Sequence, residues 1–166
     1  MNSFVKILNL SLSMIILNGL LNVEAQSGTS VILGSKHYYI ETTEQVGFYE
    51  AANNCAQLGM SLASLDANTD ERKRVYSFLT INEILDSKYW LSGIKTGSTS
   101  YTWLGTGKPL KAAPTGTAGD CVATTATFEN DGQDCTTSHY YICEKPIEPP
   151  CGKYGQCRYS FSSYNS

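Results

Sequence analysis

The chain's 166 residues, of which 42% are hydrophobic, suit one domain with short appendages. Its formal net charge of −3, with no basic run longer than the three residues 72–74, argues against nucleic-acid binding and against charge-driven binding to an anionic membrane. What remains is a folded domain whose ligand or substrate has to be inferred from its motifs.

The first 25 residues have the pattern of a secretory signal peptide. Lys6 supplies a short positive region, residues 7–21 are mostly apolar, and Val23 and Ala25 suit the two positions that a signal peptidase inspects. A membrane anchor is the alternative, but the apolar run is shorter than the roughly 20 residues that a spanning helix needs. The pattern predicts a secreted, extracellular protein, cleaved after Ala25 and without a membrane span.

The next segments predict a leader, a strand and a helix. Residues 26–35 are small, polar and glycine-containing, which predicts a flexible leader. Residues 36–42 are aromatic and β-branched, which predicts a first strand. From Val46 to Leu58 apolar residues recur at spacings of three and four, which predicts a helix that Gly59 ends.

A second helix and several strands complete the predicted domain. Asn68 is a good N-cap and Glu71 completes a capping box, so the second helix is predicted to begin at Asn68. Residues 105–120, rich in Gly, Thr, Ala and Pro, predict a long irregular loop of the kind that is often functional. Strands are predicted at residues 89–94, 101–104, 121–127 and 139–145. Helices followed by strands indicate an α+β domain with the helices segregated from an antiparallel sheet.

Six cysteines follow the predicted cleavage site, namely Cys55, Cys121, Cys135, Cys143, Cys151 and Cys157. An even number in a secreted chain predicts three disulfides, although spacing leaves fifteen pairings open. Zinc is disfavoured, because the chain has no Cys-x2-Cys pair and His37 and His139 stand alone. The last two cysteines lie in residues 147–166, a tail rich in Tyr and Ser.

Four parts of the chain, taken together and in order, carry a family resemblance. They are a cysteine-bearing helix (48–65), a core strand (YWLSGIKTG, 89–97), a strand entering the long loop (YTWLGTGKPL, 101–110) and three late cysteines (Cys121, Cys135 and Cys143). In this combination residues 36–146 resemble the C-type lectin-like domain, in the short form secreted by insects and other invertebrates. The resemblance implies two helices and a twisted antiparallel sheet, stabilised by disulfides.

The resemblance also implies a pairing of the cysteines. Cys55 is expected to pair with Cys143, and Cys121 with Cys135. Cys151 and Cys157 are then left over in the tail. They form either a local bridge or a bond to a second chain, which would make a disulfide-linked dimer.

In family members that bind sugars, the resemblance implies a calcium site at the base of the long loop. Calcium needs six to eight oxygen ligands. Asn130 and Asp131 match the family's Asn-Asp pair and are candidate metal and ligand-binding residues, with Asp120 as a third candidate for the metal. The family's proline-containing triplet is missing from residues 105–120, so the implied site is degraded. Alternatively, Asn130-Asp131-Gly132 is a tight turn, because Asp-Gly is a strong turn signal.

Two functions compete on this basis, and both are recognition functions. One is carbohydrate binding by a secreted lectin, weakly calcium-dependent, whose partner is an extracellular glycan or glycoprotein. The other is a calcium-independent module that binds a protein through the altered loop at residues 105–120. The chain lacks the sequence motifs of serine hydrolases, zinc proteases and phosphate-binding loops, and its cysteines are expected to be bridged, so no enzyme is predicted.

Overall fold

The computed structural model describes residues 28–116 and 119–147, which form two α-helices and eight β-strands. In chain order these are β1 (Thr29–Leu33), β2 (Lys36–Val46), α1 (Phe48–Gln57), β3 (Ser61–Leu62), α2 (Asp70–Ile81), β4 (Tyr89–Lys95), β5 (Tyr101–Trp103), β6 (Cys121–Thr124), β7 (Asn130–Gln133) and β8 (His139–Pro146). The predicted α+β class, with two helices and an antiparallel-dominated sheet, is confirmed.

The described strands form one sheet in the order β1-β2-β8-β4-β6-β7, with β3 also paired to β8 and β5 to β4. The β4–β8 pair is parallel and the other pairings in this part of the chain are antiparallel. Because β8 pairs with β2, β3 and β4, it joins strands β1 and β2 to strands β4, β6 and β7 in one sheet.

The two helices cover opposite faces of the sheet. Side chains alternate between faces along a strand, so Tyr38 and Ile40 of β2 pack in a cluster with Val75 and Leu79 of α2. Tyr39, between them, packs in a second cluster with residues of α1. The domain therefore has a core on each side of one sheet.

Helix α1 forms within the predicted apolar period but begins at Phe48, because Val46 is the last residue of β2. Phe48, Ala51 and Cys55 lie on one helical face and are fully buried. The helix ends just before Gly59, as the glycine predicted, so the helix of residues 48–65 given by the resemblance is too long, and Ser61–Leu62 form β3. Burial of Cys55 on this face brings its sulfur against the sheet.

The predicted start of α2 is wrong by one residue. The N-cap is Thr69, whose Oγ1 accepts a hydrogen bond from the backbone N–H of Arg72 at 3.2 Å. Asn68 instead has a left-handed backbone with a φ of 62°, which asparagine tolerates better than most residues. A hydroxyl closer to the helix therefore caps it, and Glu71 bonds elsewhere.

The predicted flexible leader contains strand β1, so that interpretation of residues 29–33 is wrong. β1 pairs with β2 from Thr29 opposite Ile40 to Leu33 opposite Lys36, and a two-residue loop joins them. Val31 and Leu33 pack against the core beside α2. Alternate apolar residues within a Gly- and Ser-rich segment thus form an edge strand.

The tight turn predicted at Asn130-Asp131-Gly132 is also wrong, because these residues belong to β7. They pair with β6, with Thr124 opposite Asn130. The chain reverses earlier, where the backbone N–H of Phe128 donates to the carbonyl of Thr125 at 3.0 Å and Phe128 has a φ of 61°. Strand β6 consequently ends at Thr124 and not at residue 127.

A cluster of polar side chains ties α2 to the sheet. Lys36 Nζ lies 2.5 Å from a carboxylate oxygen of Glu71 on α2 and 2.9 Å from one of Glu144 on β8. The phenol of Tyr38 donates a hydrogen bond to Glu71. Burial, and then the hydrogen bond to Glu71, raise the pKa of Tyr38 well above its usual value of 10.0. The folded domain therefore holds this proton more tightly than the unfolded chain does.

This shift predicts that the domain loses stability in alkali. Above about pH 10 Tyr38 ionises in the unfolded chain but stays protonated in the folded domain, so the free energy of unfolding falls as pH rises. Tyr38→Phe should make that fall shallower. Urea unfolding from about pH 8 to about pH 11 measures it, and identical pH dependence in both proteins would contradict the assignment.

Candidate functional site

The candidate residues lie where the described end of the long loop meets strand β7. Asn130 and Asp131 are consecutive on β7 and are buried, at 6% and 9% exposure. Asp120 precedes β6, its side chain is 71% exposed, and it pairs with Lys95 at 3.5 Å. Each of these three side chains has a partner from elsewhere in the chain.

Asn130 is bonded to a buried arginine. Its Oδ1 accepts a hydrogen bond from Arg72 Nη1 at 2.8 Å. The same guanidinium donates to the backbone carbonyls of Leu65, at 2.6 Å, and of Phe128, at 3.0 Å. Burial lowers the pKa of Arg72, opposed by the charges of Glu129 and Asp66. The amide oxygen expected to bind calcium thus already accepts from a cation.

Asp131 is bonded to a lysine. Its Oδ2 lies 3.0 Å from Lys88 Nζ and accepts a hydrogen bond from Gln133 Nε2 at 2.6 Å. The ammonium group of Lys88 supplies positive charge beside this carboxylate. Since successive side chains on a strand point to opposite faces, Asn130 reaches α2 while Asp131 reaches the segment before β4. The pair does not converge on one point.

The described end of the long loop packs directly on β7. The backbone N–H and the hydroxyl of Thr115 both donate to the carbonyl of Asn130, at 2.9 and 3.1 Å. A Cβ on Gly116 would lie 2.3 Å from Asp131 Oδ1, and one on Gly119 would lie 1.8 Å from the carbonyl of Gln133. Glycine is therefore required at both positions, because main chain fills the space beside Asp131.

These contacts do not match what calcium requires. A calcium ion takes six to eight oxygens, whereas Asn130, Asp131 and Asp120 bond to Arg72, Lys88 and Lys95. Within residues 28–116 and 119–147, His, Cys, Asp and Glu side chains form no group of three placed to hold a metal ion. The residues present fit a network of internal ion pairs better than they fit an ion.

His139 also lies in this region, although the sequence around it gives no indication of that. Its ring lies 4.8 Å from that of Trp90. Burial, and then the charge of Lys88, lower the pKa of His139, while Asp131 raises it. Lys88, Asp131 and His139 thus influence one another electrostatically.

Arg72 and Lys88 are the residues that the sequence reasoning missed. Arg72 had a detectable signal, because with Val75 and Leu79 it falls on the buried stripe of α2, and a charged residue in an apolar stripe needs an internal partner. Lys88 has no such signal, since it stands in a loop before β4.

Lys88 and Asp131 are expected to be energetically coupled. In a double-mutant cycle with Lys88→Met and Asp131→Asn, urea unfolding should give a coupling of about 0.5–1 kcal/mol, because the Lys88 side chain is 41% exposed and water screens the pair. The Lys95 and Asp120 pair is the matched control and should show less. Additive effects at Lys88 and Asp131 would contradict a formed pair.

Two bonded cysteine pairs join these elements in the described part of the chain, Cys55 with Cys143 and Cys121 with Cys135. The first links α1 to β8 and the second links β6 to the segment after β7. Two helices against such a sheet, with a long loop beside β7, define a C-type lectin-like domain. The family model of the lectin C-type domain matches residues 44–145, and the chain belongs to this family.

The relatives agree with this assignment. E-selectin of Bos taurus is 27% identical over 143 residues, a match that covers 76% of this chain and 28% of that protein. The chain therefore spans little more than a quarter of that relative. The family to which the chain belongs consists of domains that are generally not enzymes.

Solved structures share the fold at low sequence identity. The carbohydrate-recognition domain of the mouse scavenger receptor C-type lectin superposes with a TM-score of 0.59 at 19% identity, over 72% of this chain and 95% of that one. A calcium-independent type II antifreeze protein gives 0.56 at 24%, over 70% and 91%. Human lithostathine gives 0.60 at 15%, over 71% and 97%. At these identities the likeness shows the fold alone.

None of the described helices has the length and apolar character to cross a membrane.

Proposed function

We propose that this protein is a secreted recognition domain that binds its ligand without calcium. The observation that carries the proposal is the bonding of Asp131 to Lys88 and Gln133, while Asn130 bonds to Arg72. The positive charges that calcium would supply are already present as side chains. The fold is compatible with such a role, since one similar structure is described as a calcium-independent protein.

The long loop is the proposed contact surface. Leu104 is 55% exposed at its start, and Lys108 and Lys111 are exposed along it. Residues 105–120 contain these two lysines and one acidic residue, Asp120, which pairs with Lys95. An exposed leucine and two exposed lysines in one segment suit a protein surface with an apolar patch and acidic neighbours, although Lys111 also lies 3.9 Å from Asp66 Oδ2.

Backbone hydrogen bonds tie the first part of the loop to the sheet. The N–H of Leu104 donates to the carbonyl of Ser92 at 2.9 Å, and that of Leu110 donates to Tyr101 at 2.9 Å. Trp103, beneath the loop, is buried and donates to Asp66 Oδ1 at 2.8 Å. A surface fixed before binding loses less conformational entropy when it binds.

Carbohydrate binding with calcium at Asn130, Asp131 and Asp120 is the second candidate. It is favoured by the family and by similar structures, one of which is described as a carbohydrate-recognition domain and another as a complex with an N-glycan. On this chain the ion would have to displace Lys88 from Asp131 and Arg72 from Asn130.

A glycan array on the purified protein, run once with calcium and once with EDTA, separates the two candidates. The calcium-free proposal expects the same result in both buffers. Glycan binding that appears with calcium and vanishes with EDTA would contradict it and establish the second candidate. Asp131→Ala should then abolish binding.

The loop surface has its own test. Immobilised protein is incubated with the secretion in which it occurs, in EDTA, and the captured protein is quantified. Reversing the charge of Lys108 and Lys111 to Glu should abolish capture, whereas Lys145→Glu, an exposed lysine on β8, should not. Equal capture by both variants would contradict a role for the loop.

The predicted signal peptide (1–25) and the tail (147–166) with Cys151 and Cys157 extend beyond the described residues. We propose that the signal peptide directs secretion and that the two tail cysteines bridge locally. A non-reducing gel with a disulfide-linked dimer would favour the bond to a second chain.

A further inference from the structure

A second concave surface lies between α2 and the turn that joins β6 to β7. It encloses about 300 Å³. Thr69, Arg72, Lys73 and Tyr76 line it from the helix side, and residues 127–129 line it from the turn. Its lining does not include Asp131, Lys88 or the long loop. The pocket thus lies beside the candidate site at β7 and shares with it only Arg72, which bonds to Asn130.

The backbone around this pocket is unusual. In the part of the chain that the structure describes, three residues other than glycine have a positive φ, and two of them, Asn68 and Phe128, line the pocket. A left-handed backbone is costly for a bulky residue such as phenylalanine and is found preferentially at ligand-binding sites.

Arg72 holds the strained turn in place. Its guanidinium donates to the carbonyl of Phe128 through both Nε and Nη2, and its central carbon lies 5.0 Å from the centre of the Phe128 ring. The pocket wall is therefore shaped by internal contacts before any ligand arrives, which lowers the entropic cost of binding.

The lining combines an aromatic face with a mixed polar rim. Tyr76 is 41% exposed, and its ring lies 6.0 Å from that of Phe128. Exposed polar groups surround it: the amide of Asn68, the ammonium of Lys73, the hydroxyl of Thr127 and the carboxylate of Glu129. The rim thus offers both donors and acceptors, and both signs of charge.

This combination restricts the class of ligand. A phosphate or other anion would meet the carboxylate of Glu129, while the two cations of the lining, Arg72 and Lys73, already have partners within the chain. A wholly apolar ligand would cover the polar rim without forming hydrogen bonds to it. A sugar ring has an apolar face for the aromatic ring and hydroxyls around its edge for the rim, and it carries no charge. Its size suits a pocket of about 300 Å³.

We propose that this pocket binds one sugar residue of a glycan without a metal ion, with Tyr76 as the stacking surface. The site does not include the loop surface or Asp131, although its wall shares Arg72 with Asn130. It gives the domain a second, calcium-free contact with a glycosylated partner.

The test is an NMR titration of the ¹⁵N-labelled protein in EDTA with the methyl glycosides of glucose, galactose, mannose and N-acetylglucosamine. At least one of them should shift the backbone amides of Thr69, Lys73, Tyr76, Thr127 and Glu129. Tyr76→Ala should weaken binding about tenfold through loss of the aromatic face, and Tyr76→Phe should retain most of it.

Tyr49→Ala is the matched control, since Tyr49 is a 65% exposed aromatic residue on α1, outside the pocket. It should leave the affinity unchanged. Shifts confined to other parts of the domain, no shifts with any of the four glycosides, or equal affinity in Tyr76→Ala would overturn the proposal. None of these results bears on capture through the loop, so the two proposals fail separately.

Discussion

Replacing Cys55 and Cys143 together by alanine is expected to lower the free energy of unfolding by about 4–5 kcal/mol. The bond closes a loop with a sequence separation of 88 residues, so its loss releases much conformational entropy in the unfolded chain. Both sulfurs are buried, and the bond joins α1 to β8, next to β2 and β4. An effect of this size is a large part of the stability of an average domain.

The second described bond is the matched control. Cys121 and Cys135 are separated by 14 residues, and the same entropy argument gives about 3 kcal/mol for their replacement. Urea unfolding of both double variants, with the slope fitted separately, measures the difference. A larger loss from the Cys121 and Cys135 variant would contradict the assignment of greater stabilisation to the long-range bond.

Arg72→Ala is the single substitution with the largest expected effect, a loss of about 3 kcal/mol. The change leaves the carbonyls of Leu65 and Phe128 and the amide oxygen of Asn130 without their donor. It also removes the group that lies over the Phe128 ring. Strand β7 and the strained turn before it should both loosen.

Two variants show whether the geometry of Arg72 is responsible. Arg72→Lys keeps the charge but has a single nitrogen, so it should recover about half of the loss. Lys73→Ala, at the neighbouring exposed position on α2, should change stability by less than about 0.5 kcal/mol. Equal losses in Arg72→Ala and Lys73→Ala would show that the internal network contributes nothing.

The fold was predictable where one local signal dominates. The apolar period of α1 from Phe48 onward and its end before Gly59 are both correct, because a buried helical stripe is decided by nearby residues, whereas Val46 at the start of the period belongs to β2. The segment at β1 was mistaken for a leader, since its pairing with β2 and its packing beside α2 depend on residues outside it.

Local signals also misled at β7. Asp131-Gly132 is a strong turn dipeptide, yet pairing with β6 keeps it extended. The reversal occurs instead at residues 125–129, where Arg72 of α2 stabilises the turn through the carbonyl of Phe128. A contact between residues 56 positions apart thus overrides the turn propensity of the Asp131-Gly132 dipeptide.

The candidate site residues remain a prediction, and the sequence does not indicate their partners for the same reason. Asn130 and Asp131 were identified from a motif within one segment, but their partners were not. Arg72 lies 58 residues from Asn130, and Lys88 lies 43 residues from Asp131. What a carboxylate binds is decided by these distant side chains, so a motif that names two possible calcium ligands does not establish a calcium site.

Calcium titration of the purified protein, followed by isothermal calorimetry and by the NMR shifts of the Asn130, Asp131 and Lys88 amides, measures whether this domain binds calcium at all. Extracellular calcium modules bind with dissociation constants of about 0.1–1 mM, so a titration to about 10 mM covers the range. A recognition domain that works without calcium should show no saturable heat and no shifts at these amides. Saturable binding with shifts at Asn130 and Asp131 would contradict it, and would show that the ion displaces Lys88 and Arg72.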